Sequence, residues 1–264
     1  MIDTEILTIA NSFTESLKDL LPNRIIDVIL YGSAARGGFV REQSDIDFIV
    51  FVNGKLTSQD MNSLRDYHHS TRCSDTMFKY LEGRYIALDN DTFINVFYVG
   101  TTESKWRELD IVGFDSLEQA IILDSYKEIL NSGITARFFS FSWQNVFNLI
   151  LVRTQEYLNN DLLGKDIGFA SYAILASIRS LYTIRQIGFA SKKQALEWII
   201  PQGRYMKYND VFQSLLLNFD HISNHTSSPI NNIQENHMKD LLQLIYDDML
   251  MTIKSNSTSY IESD

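Results

Sequence analysis

The sequence predicts an α+β fold, in which a mixed β-sheet with helices is followed by a domain built only of helices. Up to about residue 100, short apolar runs rich in β-branched residues alternate with amphipathic segments, whereas almost every segment from residue 116 onward has helical periodicity. A chain of 264 residues is also long for one compact core. We therefore expect two domains, residues 1–132 and 133–264, divided near Asn131-Ser132-Gly133.

Periodicity and turn residues define the elements of the first half. Apolar residues at three- and four-residue steps predict a helix over 3–21 that ends before Pro22. A β-branched apolar run predicts a buried strand at 25–31, and the turn Asn53-Gly54 closes the next strand. The strands predicted after the first are 45–52, 84–88 and 93–99, and a further helix is predicted at 58–72.

From Ser116 onward, nearly every segment has apolar residues with a helical period. We therefore expect the second domain to be built only of helices. The predicted helices are 116–130, 141–159, 167–186, 191–199, 207–219 and 234–254.

Charge is distributed unevenly along the chain, whose net charge is −10. Residues 1–135 carry 12 basic and 21 acidic side chains, whereas residues 136–264 carry 11 and 12. An acidic surface repels a nucleic-acid backbone and attracts cations. We therefore expect no nucleic-acid partner and a small cationic molecule as the partner of the first half.

Composition also indicates a compartment. No apolar run reaches the roughly 18 residues that span a bilayer, and the N-terminal residues carry no basic leader region. The single cysteine, Cys73, excludes an internal disulfide framework and fits a reducing environment. We expect a cytoplasmic protein that does not bind membranes. His68 and His69 point to different faces of a predicted helix and have no third ligand in view, which disfavours a zinc site.

Residues 31–50 contain the chemistry-bearing motif of the chain. Gly32-Ser33 follows one apolar strand, and Asp45-Ile46-Asp47 begins the next. Because side chains alternate along a strand, both carboxylates face the same side while Ile46 enters the core. Two adjacent carboxylates repel each other unless a cation lies between them, and Mg²⁺ is a hard ion that accepts such oxygen ligands. An isolated acidic pair of this kind is often only solvated or structural.

The spacing strengthens the interpretation. Asp45 follows Ser33 by twelve residues, enough for one helical turn and a return to a neighbouring strand. Gly32 lets the backbone approach an anion closely, and Ser33 offers a hydroxyl and an N–H group at a helix N-terminus. Arg36 and Arg41 could also reach phosphates. The stretch as a whole predicts binding of a nucleoside triphosphate with a metal ion.

The motif resembles the nucleotidyltransferase signature of the DNA polymerase β superfamily, and the matching residues are Gly32, Ser33, Asp45 and Asp47. The surrounding residues are most similar to the bacterial aminoglycoside adenylyltransferases that act on streptomycin and spectinomycin. This resemblance implies that the first domain is a nucleotidyltransferase domain and that the protein is an antibiotic-resistance enzyme. It implies Mg²⁺ as cofactor, ATP as co-substrate, and transfer of AMP to a hydroxyl group of an aminoglycoside with release of pyrophosphate.

The resemblance also implies roles for residues outside the motif. A glutamate on the following strand acts as general base in that family, and Glu82 has the matching context; Asp89 and Asp91 are rivals that fit a turn better. Arg179 and Lys192 have the thirteen-residue spacing of the family's nucleotide-binding Arg and Lys. Without the resemblance, both would be read as ordinary solvated helix residues.

Two further residues correspond to the family's substrate site. Trp106 follows Glu82 at about the interval of an aromatic residue that lines the drug site, although an edge-packed tryptophan fits the sequence equally well. Glu118, at the start of a predicted helix, corresponds to an acidic residue near nucleotide and substrate. The stretch from Tyr85 to Val112 departs from the family pattern, so we expect the acceptor pocket to differ in shape from that of the family.

Two alternative functions are compatible with the sequence. The same chemistry could adenylylate a protein or an RNA, as in toxin–antitoxin pairs, but the acidic charge disfavours RNA and those enzymes are shorter. The chain could also be a nucleotide sensor that has lost catalysis, which would require that Glu82 is misplaced. The acceptor, the modified hydroxyl group and the oligomeric state are not specified by the sequence.

Overall fold

The computed structural model describes residues 2–41, 44–74, 77–100, 105–109, 113–217 and 235–260. The strands are β1 Ile25–Tyr31, β2 Ile46–Asn53, β3 Leu81–Asp89, β4 Thr92–Val99, β5 Arg107–Leu109 and β6 Lys127–Glu128. The α-helices are α1 Thr4–Leu20, α2 Gly32–Arg36, α3 Ser58–Ser74, α4 Ser116–Ser125, α5 Ile134–Phe138, α6 Trp143–Leu158, α7 Ile167–Gln186, α8 Lys192–Ile199, α9 Asn209–Leu217 and α10 Glu235–Tyr260. Short 3₁₀ helices lie at Phe78–Tyr80, Asp161–Gly164 and Gly203–Tyr208.

The strands form one mixed six-stranded sheet in the order β5-β4-β3-β2-β1-β6. Strands β2 and β3 are parallel and are joined by α3, whereas the other neighbouring pairs are antiparallel. The α+β fold predicted from the sequence is therefore confirmed, with the sheet confined to the first half of the chain. Strand β5 and the edge strand β6 were not predicted.

The central strands are buried on both faces, which explains why they read as continuous apolar runs. One face packs against α1 and α3, and the other packs against α4 and α5. The core on the α1 side includes Phe13, Phe48, Val50, Leu64, Tyr85 and Phe97. The core on the α4 side includes Ile29, Ile49, Phe51, Ile86, Ile122 and Phe139.

A buried carboxylate fixes the edge of the sheet. Asp27 on β1 is inaccessible to solvent, and its two oxygens accept the backbone N–H groups of Leu130 and Ser132, both at 2.8 Å. Its Oδ1 also accepts the N–H group of Val28 at 2.8 Å. These bonds fix the segment that follows β6 against β1.

The predicted helix 116–130 is wrong over its last residues. Helix α4 ends at Ser125, and Lys127 and Glu128 pair with the edge of β1 instead. The Glu128 carboxylate accepts the N–H groups of Gly133 at 2.7 Å and Thr135 at 2.8 Å, which caps the start of α5. Tertiary hydrogen bonding therefore overrides helical periodicity here.

The chain divides into two compact units, residues 1–140 and 141–264. This division falls a few residues after the one predicted at 132/133. The reason is that α5, which was not predicted, contributes Ile134 to the core on the α4 side of the sheet, and Phe139 follows it there.

The second unit is helical throughout its described residues. Helix α7 packs against α6, α8 and α10. Buried Asp248 on α10 accepts hydrogen bonds from Arg185 at 2.6 Å, from Arg204 at 3.0 Å and from the hydroxyl group of Tyr205. Helix α10 extends to Tyr260, beyond the predicted end at 254. The predicted ends at 218–219 and 234 lie outside the described residues.

Helix α7 is long and apolar enough, by length and composition alone, to cross a membrane. Within the described residues it is the one helix with these properties, and 56% of its apolar window is buried inside the protein. A mostly buried core helix of a soluble protein meets the same criteria of length and composition, so this helix is weak evidence for a membrane span.

We expect Asp27→Asn to lower the unfolding free energy by about 1–3 kcal/mol, because the amide presents an N–H group to a backbone donor and leaves that donor unsatisfied. Urea unfolding followed by circular dichroism measures the change. The exposed Asp19→Asn is the matched control and should stay within about 0.5 kcal/mol of wild type. Equal stability of the two variants would contradict the anchoring role of Asp27.

Candidate active site

The carboxylates of the motif lie at the start of β2, in register with polar residues on both neighbouring strands. Asp47 is the cross-strand partner of Tyr31 on β1 and of Glu82 on β3. Asp45 lies just before β2 and is exposed, whereas Asp47 and Glu82 are half-buried. The structure therefore places Asp45, Asp47 and Glu82 near one another, whereas their roles in binding metal and taking a proton stay predictions.

A fourth acidic residue, Glu118, reaches the same face from α4. Asp115 caps this helix by accepting the N–H group of Glu118 at 2.9 Å, which fixes Glu118 in the first turn. Arg84, two residues after Glu82, forms two bonds to the Glu118 carboxylate, at 2.7 and 3.3 Å. The Tyr31 hydroxyl group donates to the same carboxylate at 3.4 Å. Glu118 therefore lies near the motif, already paired with a guanidinium group.

This face is electrostatically strained. Burial, followed by the charges of Asp45, Glu82 and Glu118, raises the pKa of Asp47 well above its usual range, and Arg84 offsets only part of this effect. Burial and the charge of Asp47 likewise raise the pKa of the Tyr31 hydroxyl. A group of carboxylates that repel each other in this way favours the binding of a cation.

The residues fit a magnesium ion that arrives with a nucleotide. Asp45 and Asp47 supply two carboxylates of the kind that Mg²⁺ binds, and Mg²⁺ commonly completes its shell with phosphate oxygens and water. In the part of the chain that the structure describes, no group of three His, Cys, Asp or Glu residues forms a preassembled metal site.

Gly32 allows the backbone to approach Asp47. Its φ angle is +68°, and a Cβ atom there would lie 2.5 Å from Oδ2 of Asp47. Its N–H group donates to the Ser125 hydroxyl at 3.2 Å, which ties the turn to α4. Ser33 follows in the first turn of the five-residue helix α2.

The two arginines near the motif are paired elsewhere. Arg36 at the end of α2 lies 2.8 Å from Asp124 on α4. Arg41 lies 2.7 Å from Glu5 on α1 in an exposed ion pair. Both contacts fix the loop between β1 and β2 to neighbouring helices.

Glu82 has a partner that the sequence did not indicate. The hydroxyl group of Tyr98 on β4 donates to its Oε1. The Arg107 guanidinium lies 5.6 Å from the centre of the Tyr98 ring. The candidate base is therefore held by a tyrosine that is itself packed.

Trp106 packs on the other face of the sheet. Its indole contacts the core on the α1 side, which includes Phe48, and side chains alternate along β2, so Asp47 points away from it. The indole N–H group donates to the carbonyl of Gly100 at 2.8 Å, and the Arg72 guanidinium lies 5.2 Å from the ring. These contacts are those of a packed tryptophan, and its contact with substrate stays a prediction.

His68 is part of the same packing. Its Nε2 lies 2.7 Å from the Tyr85 hydroxyl, and its ring stacks on Phe48. Burial, aided by the charge of Arg72, lowers the pKa of His68 to about 3. It is therefore a neutral core residue across the physiological pH range.

Arg179 and Lys192 lie together in the helical unit. Arg179 on α7 donates through Nε to the carbonyl of Ala190 at 3.1 Å, two residues before Lys192. Lys192 begins α8, where Ser191 and Gln194 form a capping box. The fold thus brings the two basic residues to the start of one helix.

The site also contains three residues that were not predicted from the sequence: Arg84, Tyr31 and Tyr98. The signal for Arg84 was available, because the strand period of two puts it on the same face as Glu82. Tyr98 could not be assigned, since its contact depends on the register of β3 with β4.

Comparison with known proteins is consistent with this site. Residues 10–120 match the family model of the nucleotidyltransferase domain. No curated protein matches the chain significantly. Among solved structures, the crystal structure of spectinomycin adenyltransferase AAD(9) from Enterococcus faecialis with ATP and spectinomycin is similar, with 15% sequence identity and a TM-score of 0.59. The match covers 94% of this chain and 99% of that one, and at this identity it shows a shared fold.

We expect Gly32→Ala to cost more than Gly54→Ala. Both glycines have positive φ angles, +68° and +76°, so both variants should lose about 1–2 kcal/mol of unfolding free energy. A Cβ atom at Gly54 has no neighbour within 4 Å, whereas one at Gly32 meets Asp47. Urea unfolding should therefore show an additional loss in Gly32→Ala, and calorimetry should show weaker binding of magnesium ATP. Equal losses and equal binding would contradict the contact.

We expect Asp47→Asn to raise the melting temperature of the ligand-free protein at neutral pH. Because the pKa of Asp47 is higher in the folded than in the unfolded protein, its contribution to stability is lost as the pH rises through the folded-state pKa. The asparagine side chain does not ionise, so the variant does not lose this stability as the pH rises. Thermal unfolding from acidic to neutral pH should show the variants converging below the ordinary aspartate pKa of about 3.9.

The exposed Asp66→Asn provides the control, with no melting difference expected across this range. A lower melting temperature of Asp47→Asn at neutral pH would show that the charge at this position is already compensated.

Proposed function

We propose that this chain, a nucleotidyltransferase by the domain in residues 10–120, transfers AMP from ATP to a hydroxyl group of a small cationic acceptor. One observation carries the proposal: Asp47 lies in cross-strand register with Glu82, next to the glycine turn that begins with Gly32. That arrangement supplies a metal-binding carboxylate, a candidate base and a close backbone approach on one face.

The proposed site residues have two tasks. Asp45 and Asp47 would hold Mg²⁺, which when bound neutralises charge on the phosphates. Gly32 and Ser33 bind the triphosphate, and Arg179 and Lys192 are further proposed nucleotide-binding residues.

Glu82 acts as the general base. It takes the proton of the acceptor hydroxyl as that oxygen bonds to the α-phosphorus. The bond from the α-phosphorus to the bridging oxygen breaks, and pyrophosphate leaves with the electron pair. The products are an AMP ester and pyrophosphate, and the proton stays on Glu82 until it passes to solvent.

We infer an aminoglycoside or aminocyclitol acceptor from two observations. Residues 1–135 carry nine more acidic than basic side chains, which attracts cations. The similar structure contains ATP and spectinomycin. Glu118 is a proposed acceptor contact, whereas Trp106 packs on the opposite face of the sheet from Asp47. The proposed setting is antibiotic resistance in the cytoplasm.

Incubation with ATP labelled at the α-phosphate, Mg²⁺ and either spectinomycin or streptomycin tests the proposal. Wild type should transfer label to the drug. Glu82→Gln should lower the rate by about 10²- to 10⁴-fold, the usual contribution of a positioned base, while ATP still binds. Asp47→Asn should abolish transfer, because the metal loses a ligand.

Glu15→Gln and Asp66→Asn are matched exposed controls and should transfer at the wild-type rate. Label found on a protein band or on RNA would identify a macromolecule as the acceptor and contradict the proposed small acceptor. Tight binding of magnesium ATP without transfer to any acceptor would indicate a nucleotide sensor and overturn the proposed reaction.

A further inference from the structure

Tyr98 contacts the candidate base diagonally across two antiparallel strands. On β4 it is the cross-strand partner of Arg84, and Glu82 lies two residues before Arg84 on the same face of β3. Diagonal neighbours of this kind are within reach of an aromatic side chain. The Tyr98 hydroxyl group donates to Oε1 of Glu82.

The ring of Tyr98 is held from the side opposite β3. Its partner on β5 is Arg107, whose guanidinium lies 5.6 Å from the ring centre. A tyrosine has two side-chain torsions, so a packed ring fixes its hydroxyl group at little entropic cost. Burial and the hydrogen bond to Glu82 raise the pKa of Tyr98, which therefore keeps its proton and acts as a donor.

The surroundings of Glu82 show why its orientation matters. Asp47 lies beside it in register, and like charges repel. The guanidinium of Arg84 is bonded to Glu118. The hydrogen bond from the Tyr98 hydroxyl group holds the Glu82 carboxylate in place against this repulsion.

We propose that Tyr98 is the positioning residue of Glu82, and that its hydroxyl group holds the carboxylate toward the acceptor hydroxyl during AMP transfer. This inference rests on the proposed function. A carboxylate has about four acceptor sites, so one bond from Tyr98 leaves room for the acceptor O–H. During the reaction the acceptor O–H bond breaks, the proton moves to Glu82, and Tyr98 keeps its own proton.

Tyr98→Phe tests this role, since it removes one oxygen and keeps the ring beneath Arg107. Losing a hydrogen bond to a charged group should lower kcat by about 10- to 100-fold with spectinomycin as acceptor, while KM for ATP changes less than about twofold. In a Glu82→Gln background the same substitution should have almost no further effect. The exposed Tyr126→Phe is the control and should keep wild-type kcat.

A second measurement does not depend on turnover. Carbon-13 labelling of glutamate carboxylates gives a Glu82 resonance, identified by its absence in Glu82→Gln. This resonance should shift in Tyr98→Phe and stay in place in Tyr126→Phe. An unchanged resonance, or an unchanged kcat in an active protein, would overturn the positioning role.

The two measurements separate this inference from the proposed function. A wild-type protein that transfers nothing to any acceptor, but whose Glu82 resonance moves in Tyr98→Phe, would refute AMP transfer and support the contact. An active protein in which Tyr98→Phe changes neither kcat nor the Glu82 resonance would support AMP transfer and refute the positioning role of Tyr98.

Discussion

Strand β2 holds Asp47 between Tyr31 and Glu82, and this cross-strand register is the constraint on which the rest of the site depends. A slip of one residue would turn Asp47 into the core and expose Phe48. The register is secure because both faces of β2 are buried, so that each of its apolar side chains enters one of two cores. Burial of the sheet therefore fixes the positions of the Asp47 and Glu82 carboxylates relative to each other.

The same burial lowers the stability of the folded protein at this face. Carboxylates brought together in a partly desolvated place destabilise one another, and the raised pKa of Asp47 expresses that repulsion. Arg84 compensates part of it through Glu118. The repulsion that remains would favour the binding of a cation at this face, at the expense of the stability of the ligand-free protein.

The sequence predicted the parts of this site that depend on local pattern. The strand period places Asp45 and Asp47 on one face, and the turn at Gly32 follows from its position after an apolar strand. What it did not predict depends on pairing between distant segments: β6 at the sheet edge, and the contact of Tyr98 with Glu82. Trp106 shows the same limit, because its interval from Glu82 does not reveal which face of the sheet it joins.

The pairing of Arg84 with Glu118 also bears on the acceptor. A glutamate already bonded to a guanidinium group attracts an ammonium group less than its sequence position suggests. Magnesium would further neutralise Asp45 and Asp47. For the proposed cationic acceptor, the remaining attraction would come from Glu82 and from the wider acidic surface of residues 1–135, which acts at longer range and weakens with salt. Such a long-range field would attract cations of many shapes, so on this proposal the carboxylates alone would not select the acceptor.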